Sequence, residues 1–111
     1  MEKLTEKKCV PCEGGVSPFK KEEIQEYLGQ LRSEWEARDE KKIHKQFSFK
    51  NFKEALAFIN KVGDIAESEG HHPDIRLFDY KNVEIELSTH AVGGLSENDF
   101  ILAAKIEQLE T

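Results

Sequence analysis

Three of the chain's four histidines fall in two short stretches, Glu67-Ser68-Glu69-Gly70-His71-His72-Pro73-Asp74 and Leu87-Ser88-Thr89-His90. Imidazole has an unperturbed pKa of about 6.5, so it gives and takes protons near neutrality. An adjacent pair closed by Pro73, with a third His at the end of an expected strand, is a candidate acid–base centre. His44 stands alone and reads as a surface or satisfied polar residue. Three His with Glu67 would also suit Zn²⁺ by ligand type. Neighbouring residues of an extended segment point to opposite sides, however, so His71 and His72 do not easily chelate one ion. No metal is expected on that geometry.

A chain of 111 residues makes one domain, able to bury roughly 65% of its unfolded surface. Apolar residues make up 38% and charged residues 34%, and the apolar ones recur in periodic blocks, unlike a disordered chain. The formal net charge of −6 argues against nucleic acid as the main partner. No apolar run approaches the length of about 20 residues that a membrane span needs. With no apolar stretch after the N-terminal lysines, a cytoplasmic protein is expected. Cys9 and Cys12, in Cys9-Val10-Pro11-Cys12, could form a redox pair or half of a zinc site. They follow a polar start rather than a strand, and no second Cys pair exists, so a turn-forming element is the expectation.

The elements that must position the histidines follow from periodicity. Residues 1–17 read as an irregular N-terminal arm punctuated by Pro11, Gly14 and Gly15, and 18–111 as a single domain. Ile24, Tyr27, Leu28 and Leu31 make one helical stripe. A strand around 35–38 turns at Asp39-Glu40 into a second over 42–49, with Ile43, Phe47 and Phe49 on one face. Asn51 and Glu54 suit a capping box for a long helix to about Glu69, with Phe52, Ala55, Leu56, Ile59, Val62 and Ala66 as its expected buried stripe. Gly70 stops it. Glu67 and His71 are four apart, so that pair is expected to meet in the last turn.

Strands over 74–80 and 82–89 form a second hairpin around Lys81-Asn82, with Val83, Ile85 and Leu87 inward. The Ala91-Val92-Gly93-Gly94 turn is one where backbone could approach a ligand. Ser96 and Asp99 suit a capping box for a final helix carrying Phe100, Ile101, Leu102, Ala103, Ala104, Ile106 and Leu109. That helix looks wide enough to need a second subunit. The expected fold class is α+β: a four-stranded antiparallel sheet of two hairpins with three helices packed on one face.

These residues resemble the pterin-4a-carbinolamine dehydratases. Glu67, His71-His72-Pro73, Tyr80, His90 and Asp99 stand at that family's spacing, and the likeness extends through Leu87-Ser88-Thr89-His90 and Gly94-Leu95-Ser96-Glu97-Asn98-Asp99-Phe100. Cys9-Val10-Pro11-Cys12-Glu13-Gly14-Gly15 is similar to the start of many microbial members. Two positions depart from the pattern: Ile75 stands where some members carry Trp, and Gly70 where an acidic residue can precede the His pair.

The resemblance implies dehydration of a 4a-hydroxytetrahydropterin to the quinonoid dihydropterin, in tetrahydrobiopterin recycling, by a homodimer or homotetramer. Losing water from a carbinolamine needs an acid for the departing hydroxyl and a base for the neighbouring N–H, so neither a metal nor a redox cofactor is expected. His72 and His90 are the expected acid–base pair, with His71 stabilising developing charge and Glu67 orienting His71. Pro73, Ser88, Thr89, Ala91 and Val92 are expected around the pterin. Asp99 either anchors an imidazole or caps its helix. The rival readings are a non-catalytic dimerisation partner of the same fold and a role in molybdopterin metabolism.

Overall fold

The computed structural model describes residues 4–9, 17–32 and 34–110. The alternation of Asn82–Leu87 dictates the centre of the fold. Val83, Ile85 and Leu87 of this strand are fully buried, while Glu84 and Glu86 face the other way. The elements run α1 (Lys21–Leu28), β1 (Glu36–Arg38), β2 (Lys42–Ser48), α2 (Phe52–Glu69), β3 (Asp74–Phe78), β4 (Asn82–Leu87) and α3 (Glu97–Glu107), with short 3₁₀ turns at Leu4–Glu6, His90–Val92 and Gln108–Glu110. The strands pair antiparallel in the order β1-β2-β4-β3. The α+β class expected from the sequence is therefore the fold observed, with the helices over the apolar face of the sheet. The opposite face is charged: Lys42 pairs with Glu86 at 3.2 Å, and Arg38 lies against both Glu84 and Glu86.

Each hairpin turns through two consecutive non-glycine residues with left-handed backbone, Asp39-Glu40 (φ 54° and 55°) and Asp79-Tyr80 (φ 48° and 55°). The first sits where the sequence places it. The second precedes the expected Lys81-Asn82, because Asn82 already pairs with Phe78 and opens β4. Asp tolerates the left-handed region better than most residues.

Asn51 caps α2, its Oδ1 accepting from the Glu54 N–H at 2.8 Å, while Glu54 reaches past it to the Lys50 N–H. The buried stripe of α2 is Ala55, Phe58, Val62 and Ala66. Phe58 was absent from the expected stripe, and Phe52 and Leu56, expected inside, are 49% and 40% exposed. Phe58 wins because Phe47 and Phe49 of the first hairpin present rings to it, at centroid distances of 4.7 and 4.9 Å.

The final helix needs no neighbour to cover it. Phe100, Ile101, Leu102, Ala103 and Ile106 are all buried within the single chain. Helix α3 lies against α1, α2 and the Leu4–Glu6 turn, whose Leu4 is itself buried. On the α1 side, Phe19, Tyr27 and Phe100 stack on one another. The expectation that Ile101 or Leu102 faces a second subunit is thus corrected. The described part of the N-terminal arm and two helices supply the missing cover.

Candidate active site

Two chain reversals bring the histidines together. At the end of α2, Gly70 adopts φ 67° and the His71 N–H returns to the Ala66 carbonyl, a left-handed helix stop that glycine adopts without strain. Past β4, the Thr89 N–H bonds the Gly94 carbonyl at 2.7 Å and closes the His90–Val92 turn. Gly94 is needed here: a Cβ would meet the Pro18 Cβ at 2.8 Å. The close approach expected of this glycine pair is to Pro18, in the segment leading into α1.

Between these reversals lies a cavity of about 590 Å³. Of the residues expected to act, Glu67, His71, His72, Ser88, Thr89, His90 and Ala91 line it. Pro73 and Val92 do not. Asp99 is set behind the wall, fully buried. Cys9, Ser68, Glu69, Gly70 and Asn98 line the cavity as well and were not foreseen.

Asp99 holds the inner half of the site. Its Oδ1 lies 2.7 Å from His71 Nε2, and its Oδ2 accepts from Thr89 Oγ1 at 2.8 Å and from the Ser96 N–H at 3.0 Å. The two roles weighed for Asp99, anchor and cap, are both filled. An ionised carboxylate only accepts, so it fixes the His71 proton on Nε2. In the neutral ring Nδ1 is then the acceptor nitrogen, with no partner among the described residues. A buried carboxylate is expensive unless its oxygens are satisfied, and these donors satisfy them.

The outer half is wet. Glu67 Oε1 meets His72 Nε2 at 2.9 Å, with both side chains more than half exposed. This corrects the expected Glu67–His71 pair: the left-handed Gly70 swings His71 inward to Asp99 and leaves the carboxylate to the next residue. His90 is exposed, and its imidazole has no hydrogen-bond partner among the described residues.

The third side is closed by Glu69, which receives Lys105 Nζ at 2.6 Å and the Cys9 N–H at 2.8 Å. Burial opposes ionisation of Glu69, but the hydrogen bonds and charge of these donors outweigh it and hold its pKa below the ordinary value. Burial, then the charge of Glu69, pushes the Cys9 thiol up to about 12, so it is neutral at any physiological pH. Contacts from Cys9 to residues 60 and 89 positions away carry no local period. Nothing in the sequence pattern would have placed it here. Cys12 lies outside the described residues, as do Glu13, Gly14 and Gly15, so the turn-forming element expected there is not described.

Fold and site together define a small α+β domain with an imidazole–carboxylate pocket at the ends of α2 and β4, a set of side chains suited to proton transfer. The chain belongs to the pterin 4 alpha carbinolamine dehydratase family, whose model matches residues 17–109. A relative in Alkaliphilus metalliredigens, provisionally named a pterin-4-alpha-carbinolamine dehydratase, is 46% identical over 100% of this chain and 99% of its own. Another of that provisional name, in Rubrobacter xylanophilus, is 49% identical over 98% and 100%. Among solved structures, a transcriptional coactivator/pterin dehydratase from Brucella melitensis superposes with a TM-score of 0.76 at 29% identity, covering 86% of this chain and 100% of that one. A pterin dehydratase-like protein described as a RuBisCO assembly factor shares the fold, with a TM-score of 0.59 at 24% identity over 70% of this chain and 90% of its own.

Proposed function

We propose that the chain dehydrates a 4a-hydroxytetrahydropterin to the quinonoid dihydropterin by histidine acid–base catalysis, serving tetrahydrobiopterin recycling. The observation that carries this reading is the convergence of His71, His72 and His90 on one cavity, with His71 held by a fully buried carboxylate. In the reaction the C4a–O bond breaks as an acid protonates the departing oxygen. The neighbouring N5–H gives its proton to a base, and its bonding pair forms the C4a=N5 bond. No electron leaves or enters, so the chemistry needs only placed proton carriers.

His72 and His90 stand on the accessible side of the cavity, where protons exchange with water between turnovers, and they serve as the acid–base pair. Glu67 orients His72. His71 presents Nδ1 to the ring and, backed by Asp99, stabilises the positive charge that develops as the hydroxyl departs. Ser88, Thr89 and Ala91 offer polar atoms and a small apolar surface to the pterin's edge. The test is turnover of a 4a-hydroxytetrahydropterin by purified protein, with and without a chelator. Equal turnover in both supports the reading; activity lost with the chelator, or absent from both, removes it.

Assembly is a second proposal. Phe52 and Leu56 lie four apart on one exposed face of α2, and an isologous dimer or a tetramer of this chain would cover them. Replacing Leu56 with Glu should lower the mass measured by light scattering. Wild-type protein that sediments as a monomer at micromolar concentration would end the idea. Among the described residues no helix is long and apolar enough to cross a membrane, and the proposed location is the cytoplasm.

A further inference from the structure

The segment 4–9 is fastened to the domain at successive points. Leu4 is buried in the core, Lys7 Nζ pairs with Glu97 at 2.7 Å, the Cys9 N–H bonds Glu69, and the Cys9 thiol lies 3.6 Å from the Asn98 carbonyl. Its last residue lines the cavity that holds the histidines. Most of the residues that line it are polar or charged. Cys9, a small and soft side chain kept neutral by its surroundings, joins Gly70 and Ala91 as the exceptions, and such a surface suits the face of a flat heterocycle.

We propose that residues 4–9 form a substrate-contacting wall of the pocket, in which Cys9 limits what ring can enter and Glu69 is the positioning residue that clasps the wall to α2. The proposal rests on the pterin reading above. Glu69 is suited to this task because it joins three segments: it sits on α2 two residues beyond Glu67, accepts from the arm, and is held by Lys105 of α3. Loosening it would move the wall without touching an imidazole. The effect should therefore fall on substrate binding more than on proton transfer.

The test uses the full chain in a Cys12→Ser background, so that a single thiol reports. Cys9→Phe should raise KM at least tenfold with kcat within threefold of the parent. Glu69→Gln should raise KM about tenfold with little change in kcat, and should speed alkylation of Cys9 by iodoacetamide about tenfold. Lys105→Met should reproduce both changes. Saturating oxidised pterin, with its binding followed by its own fluorescence, should slow that alkylation in the parent.

A Cys9→Phe variant with the parental KM, or an alkylation rate indifferent to bound pterin, would overturn the wall. Unchanged alkylation in Glu69→Gln would overturn the clasp. Alkylation without ligand needs no turnover. If the chain failed to dehydrate any carbinolamine, the functional reading would fall, while faster labelling of both Glu69→Gln and Lys105→Met would still establish the clasp, because loss of the Lys105 charge by itself would slow the thiol.

Discussion

The two halves of the pocket carry the same kind of pair, an imidazole against a carboxylate, in opposite environments. His71 and Asp99 meet at 2.7 Å with the carboxylate fully buried; His72 and Glu67 meet at 2.9 Å in solvent. Burial makes the first pair part of the fold, since removing either partner strands polar atoms away from water. The second pair is a surface contact, which is worth little to stability. The inner half thus supplies a fixed tautomer and a fixed field, and the outer half supplies groups that can trade protons with water. Stability and rate should separate along that line.

Asp99→Ala breaks the comparison most severely. It leaves the His71 Nε2–H, the Thr89 hydroxyl and the Ser96 N–H without their acceptor, so urea denaturation should show a loss of about 3 kcal/mol or more. Turnover should fall with it. His72→Ala and His90→Ala should each lower kcat by roughly 10²-fold, the usual worth of a positioned acid or base, yet change stability by less than about 0.5 kcal/mol. An outer-half variant that unfolds the domain, or an Asp99 variant as stable as the wild type, would erase the distinction. Glu67→Gln keeps the hydrogen bond's shape and removes an exposed charge, so kcat should drop no more than about fivefold, within the 1 kcal/mol typical of exposed pairs.

A smaller effect is expected from acid. Glu69 is held below its ordinary pKa, so the folded state favours its charged form. Its contribution is present above the ordinary carboxylate value and is lost as pH falls through the lowered one. Acid unfolding of Glu69→Gln should accordingly lose less over that range than the wild type does, as followed by circular dichroism. Cys9 runs the other way. Its neutral form is favoured, so arm docking should weaken as pH rises from 9.0 toward about 12. The smallest change concerns a turn far from the site: Glu40→Gly should relieve roughly 1 kcal/mol of left-handed strain and raise Tm by a few degrees.

Each half was legible in the sequence only in part: the two roles of Asp99 were foreseen, and the partner of Glu67 was not. Alternation through Val83, Ile85 and Leu87 and the Asn51 cap announce β4 and α2, because each rests on a local period or a local bond. The clustering of His71, His72 and His90 was legible for the same reason, as all three sit at element ends. The Glu67 partner was misjudged because helical spacing was applied to His71, which lies beyond the helix stop at Gly70. Phe58 was missed because the choice between two overlapping stripes of α2 is made by Phe47 and Phe49, from another element. The cover over α3 and the Cys9 wall depend on the chain's first residues returning to its last helix. A contact of that range leaves no pattern in sequence.

The proposal that imidazoles of the outer half move the protons of a carbinolamine dehydration stands or falls on turnover. Its most direct test is the rate at which a 4a-hydroxytetrahydropterin disappears in the presence of chelator, compared between wild type and His90→Ala at neutral pH. Wild-type turnover should lie well above the uncatalysed rate and fall roughly 10²-fold in the variant, with an unchanged melting curve. A wild type no faster than buffer, or a His90→Ala variant as fast as wild type, would contradict it.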